Sequence, residues 1–70
     1  MFVIQALHPA GWVDQGTAQL EYWAQQEAQM RCCSDGRTYR ILTADDRQLV
    51  ALITTNGCRI YRRRQKATLS

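Results

Sequence analysis

Between Thr17 and Cys33 the chain runs through Ala, Gln, Glu, Leu and Met without a Gly or a Pro, and nowhere else does that composition recur. This is helix composition over roughly four turns. It constrains the fold more than any other feature, because the segments on both sides are rich in β-branched and aromatic residues, so a single helix must serve all the strands. Thr17 is placed to cap the start of the helix. Asp35-Gly36 is placed to end it, with Gly36 free to turn left-handed. Leu20, Trp23, Ala24 and Ala28 fall at helical spacing on one stripe, the expected buried face, and the small Ala24 and Ala28 let the helix lie close on a sheet.

The flanking segments read as strands. "FVIQALHPAGWVDQG" forms two of them around "HPAG", where Pro9 presets the second position of a tight turn and Gly11 suits the fourth. Phe2, Ile4 and Ala6 alternate onto the core face, whereas the side of Trp12 depends on loop length. After Gly36 come "RTYRILT", "QLVALITT" and "CRIYRR". Asn56-Gly57 read as a two-residue hairpin turn pairs Ile53 with Ile60 and Leu52 with Tyr61. A three-residue loop with Asp46 left-handed pairs Ile41 with Leu49 and Tyr39 with Ala51. The expected architecture is α+β and two-layered: one helix packed on an antiparallel sheet in chain order ββαβββ, with strand order left open.

A chain of 70 residues makes one domain at most and buries about 60% of its unfolded surface. We assign residues 1–64 to that domain and 65–70 to a flexible basic and polar tail. The opening "MFVIQAL" carries no basic leader and is too short to cross a bilayer, so the expectation is a soluble, cytoplasmic protein with no membrane partner.

The derived register sorts the last three strands into two faces. Tyr39, Ile41, Leu49, Ala51, Ile53, Cys58 and Ile60 share the face expected to receive the helix. The reverse face holds Arg40, Leu42, Val50, Leu52, Arg59, Tyr61 and Arg63, an apolar strip edged by guanidinium groups. A wholly solvated face is polar at most positions, so this strip is the candidate binding site for protein or nucleic acid. Arg62, Arg64 and Lys66 add secondary basic contacts.

Charge supports an oriented surface. Residues 1–36 hold Asp14, Glu21, Glu27 and Asp35 against Arg31, net −3; residues 37–70 hold eight Arg or Lys against Asp45 and Asp46, net +6, which sums to the chain's +3. Such a dipolar chain suits self-association or anion binding.

Site chemistry is sparse. Cys32, Cys33 and Cys58 are odd in number and lack the spacing of a disulfide framework or a zinc knuckle, so free thiols in a reducing compartment are expected, with no metal and no cofactor. Asp45-Asp46 sits in a turn, His8 precedes Pro9 at another, and no phosphate loop is present, so neither catalysis nor a small-molecule substrate is expected. The sequence points to a non-catalytic binding module that pairs with itself as a homodimer or with one cognate protein. The alternative is RNA or DNA held by Arg40, Arg59, Arg63 and the basic end, with a base stacked on Tyr61.

Overall fold

The computed structural model describes residues 1–61. Arg62, Arg63, Arg64, Lys66 and the proposed boundary at residue 64 lie outside them. Strand β1 (Phe2–His8) and β2 (Gly11–Ala18) form a hairpin, helix α1 spans Glu21–Asp35, and β3 (Tyr39–Thr43), β4 (Leu49–Thr54) and β5 (Gly57–Ile60) follow. One helix packs on a five-stranded antiparallel sheet in the order β2-β1-β3-β4-β5, the expected two-layer α+β arrangement. β1 is antiparallel to both β2 and β3, so those two run parallel and β2-α1-β3 is a crossover with β1 held between its strands.

The first hairpin turns as expected. His8 faces Gly11, whose φ of +130° only glycine accepts readily. Phe2, Ile4 and Ala6 face the core. Thr17, however, does not cap the helix; it belongs to β2, which continues until Ala18 pairs with Phe2. The helix starts at Glu21 behind Leu20, which supplies no side-chain cap, and it ends as expected, with Gly36 at φ +72° donating its N–H to Cys32 O at 2.8 Å.

The buried stripe of α1 differs from the expected one. Ala24, Ala28 and Cys32, spaced four apart, face the sheet, whereas Leu20 and Trp23 are 57% and 58% exposed. The helix packs on β3 and β4 and less closely on β1 and β2. The core between these layers is built around Ile4, Tyr39, Ile41 and Ile53, with small residues above them.

Both C-terminal turns are displaced by one position. The left-handed residue of the β3–β4 loop is Arg47 at φ 56°, not Asp46, because the Thr43 hydroxyl organises the loop: it donates to Asp46 and accepts the Gln48 N–H at 3.0 Å. Tyr39 therefore pairs with Ile53 and Ile41 with Ala51. In the last hairpin Thr54 faces Gly57, so Thr55-Asn56 forms the turn and Gly57, at φ +143°, begins β5. Ile53 pairs with Cys58 and Leu52 with Arg59. Each slip moves the pairing by an even number of residues, so Arg40, Leu52, Arg59 and Tyr61 keep their common face.

Three of the expected core residues are not buried: Leu49, Cys58 and Ile60 are exposed. Val50, expected on the outer face, belongs to the core cluster. Leu42 pairs with Leu49 while Ile41 pairs with Ala51, which leaves Val50 as the extra residue of a bulge, and a bulge re-aims its side chain.

Candidate functional site

On the sheet face away from the helix, one row crosses all five strands: Asp14, Gln5, Arg40, Leu52 and Arg59 stand opposite one another in turn. Its first half is a closed network. Gln5, 4% exposed, donates from Nε2 to Asp14 Oδ1 at 2.7 Å and accepts from Arg40 Nε at 2.7 Å. The Arg40 guanidinium also stacks over the Trp12 ring, 4.1 Å from its centroid, which fixes Trp12 on this outer face. Arg40 is thus positioned by its own fold.

Beside that row lie Val3 and Leu42, paired across β1 and β3 and both buried. Arg47 Nη2 comes within 3.9 Å of Asp14 Oδ1, and a bridge from the β3–β4 loop to β2 has to pass over β3 and β1. Its aliphatic stem can shelter apolar surface there. With Val50 turned into the core and Leu42 covered, the apolar strip expected on this face contracts to Leu52 and Tyr61.

Those two residues border a groove of about 290 Å³ at the β4–β5 hairpin, shared with Thr54, Asn56, Gly57, Cys58 and Arg59. Leu52 and Tyr61 are half-buried and Arg59 is exposed. The Tyr61 N–H donates to Val50 O at 2.8 Å, which extends the pairing beyond Ile60 and places Tyr61 beside the groove. The structure thus brings Leu52, Arg59 and Tyr61 together, places Arg40 next to them but already engaged, and removes Leu42 and Val50 from the surface. Arg63 and the secondary basic residues lie outside the described part.

The other layer carries a second apolar surface. Leu20, Tyr22, Trp23 and Met30 are each more than half exposed, and the Tyr22 and Trp23 rings meet edge to face at 5.0 Å. Beside them a trough of about 570 Å³ runs between the helix and β2, over Ile4, Gly16 and Ala18. The sequence held a signal for it. Ala24, Ala28 and Cys32 form a stripe of their own at spacing four, and a helix that buries that stripe must expose Trp23 and Met30.

The cysteines are free. Cys32 is buried while Cys33 and Cys58 are exposed, and all three line a groove of about 300 Å³ between the helix end and the last hairpin. Burial pushes the Cys32 thiol upward, helped by Cys33 and Asp35, so the thiolate is disfavoured. Among the described residues no group of three or more His, Cys, Asp or Glu is placed to hold a metal ion, and no helix is long and apolar enough to cross a membrane. Comparison with protein-family models, curated proteins and solved structures finds no match for this chain.

Proposed function

We propose that this chain is a small non-catalytic binding module that works by protein–protein association, offering the outer face of β4–β5 to a cognate protein or to a second copy. The observation that carries the reading is the groove beside Leu52 and Tyr61, rimmed by Arg59. Tyrosine and arginine are among the residues that dominate binding energy at interfaces, and here both line the same groove as Leu52. Arg40 supports it as a pre-positioned charge, since its link to Gln5 removes the side-chain entropy that binding otherwise costs. The setting we propose is the cytoplasm, where three thiols stay reduced.

Leu52→Glu or Tyr61→Glu is expected to weaken association at least tenfold, read by light scattering and by pull-down from the native host, while the helical circular dichroism signal stays intact. Retention of the partner by both variants would remove this surface from consideration.

A second reading is favoured by one feature, the placement of Tyr61 on the same open face as Arg59, which suits a base stacked on the ring with phosphate alongside. Its signature is affinity that falls steeply with salt and is lost on charge reversal at Arg59. Filter binding at low salt that retains neither RNA nor DNA sinks it.

A further inference from the structure

The groove between the helix end and the last hairpin gathers every thiol of the chain, and two of them face it from opposite walls. On α1, Ala28 and Cys32 point to the sheet; Gln29 and Cys33, each one position and about 100° further round, stand on the flank above the β4–β5 hairpin and line the groove. The opposite flank, with Glu27 and Arg31 one position back, lines the trough towards β2. On the sheet, Cys58 pairs with Ile53, whose side chain is buried in the core beneath the helix. Residues directly opposite on paired strands share a face, so Cys58 stands on the helix side. Cys33 and Cys58 are both exposed, whereas Cys32 reaches the groove from its buried side.

We propose that Cys33 and Cys58 form a modification site, an oxidisable pair that closes into a disulfide across this groove and latches the last hairpin to the helix end. The other pairings are disfavoured. Cys32 and Cys33 are consecutive within a helix that runs on to Asp35, so their side chains diverge, and buried Cys32 is a poor thiolate. A disulfide needs its Cβ atoms about 3.5–4.5 Å apart, and the element that moves to meet this is the least anchored one. The helix seats on β1 to β4, while β5 is a four-residue edge strand, exposed throughout and paired with β4 alone among the described residues. The oxidant is a low-molecular-weight disulfide. One exposed thiolate attacks it, forming a mixed disulfide and releasing one small thiol; the second thiolate attacks the protein sulfur of that mixed disulfide and expels the other. Two S–H bonds and the oxidant's S–S bond break, one protein S–S bond forms, and two protons and two electrons leave on two small thiols. In a reducing compartment the pair is open, and it closes under oxidative load. The step proceeds whatever the outer groove at Leu52 and Tyr61 binds.

The test is incubation of the reduced whole chain with oxidised glutathione, followed by intact mass, tryptic mapping and thermal melting. Cleavage after Arg31, Arg37, Arg47 and Arg59 leaves Cys32 and Cys33 on one fragment and Cys58 on another. A monomer lighter by two hydrogens is expected, with those two fragments linked and the melting temperature raised by at least about 5 °C, all reversed by dithiothreitol. Cys33→Ser and Cys58→Ser should each abolish the bridge, and Cys32→Ala should retain it. A bridge that persists in Cys33→Ser overturns the pairing. Separate glutathione adducts on the two thiols, a bridge between two chains, or a bridge that fails to raise the melting temperature each show that the groove does not close in the native fold and overturn the inference, leaving the β4–β5 binding reading untouched.

Discussion

Towards the sheet, helix α1 presents Ala24, Ala28 and Cys32, all buried; away from it stand Tyr22, Trp23 and Met30, all more than half exposed. In most surface helices the bulky apolar side chains point inward. The difference shows where the core obtains its volume. The largest fully buried side chains, Tyr39, Ile4, Ile41 and Ile53, all belong to strands. The helix contributes close approach instead of bulk, and its own large side chains stand on the outside.

Adding bulk to the inner face is the severest challenge to this contrast. Ala28→Leu is expected to cost about 1–3 kcal/mol of unfolding free energy in a urea titration, because the helix has to lift off the sheet. A cost near zero would mean that the close seat of α1 is not needed. An intermediate effect is expected where the helix end is fastened to the sheet. The Tyr39 hydroxyl donates to Asp35 Oδ2 at 2.6 Å, and the Arg37 N–H donates to Oδ1 at 2.9 Å. Together they hold the Asp35 carboxyl below its usual range, the Tyr39 bond contributing most. Burial, followed by Asp35, raises the Tyr39 hydroxyl.

The two shifts have opposite pH signs. A carboxyl whose folded pKa is depressed stabilises above its unfolded pKa, and that stability is lost as pH falls through the folded value. A phenol whose folded pKa is raised above 10.0 stabilises below that pH, and the stability is lost as pH rises through the folded value. Thermal melts should therefore show the melting temperature declining below about pH 4 and again above about pH 10. Tyr39→Phe should flatten both limbs. If the native and Tyr39→Phe profiles run parallel, the fastening contributes nothing. The smallest effect belongs to the outer face: Trp23→Ala should alter the stability of the monomer by less than about 0.5 kcal/mol in the same urea titration. A larger loss would show that the ring supports the fold.

The elements were legible because each has a strong local signal, and strand parity survived because the turn slips moved the pairing by even steps. Turn positions were less legible. Asn56-Gly57 suits a two-residue turn, yet Gly57 meets its need for positive φ equally well one place later, at the head of β5. On the helix, hydrophobicity alone favours Leu20 and Trp23 for the inner face, whereas packing against the large strand residues favours the smallest side chains. Of the outer face, the alignment of Arg40, Leu52, Arg59 and Tyr61 could be read from alternation alone. The Gln5–Arg40 bond could not, since it joins residues 35 positions apart on strands whose adjacency no local pattern announces. The burial of Val50 depends on a bulge, and the approach of Arg47 to Asp14 on a loop, both products of tertiary context.

The split crossover has a consequence during synthesis. β1 is an interior strand of the finished sheet, yet its second neighbour, β3, begins roughly thirty residues after β1 ends. At about 5–20 residues per second, the ribosome leaves one flank of β1 without its partner for a few seconds. A chain cut short before Tyr39 would carry β1 with one edge unpaired, the kind of surface that recruits chaperones or other unfinished chains.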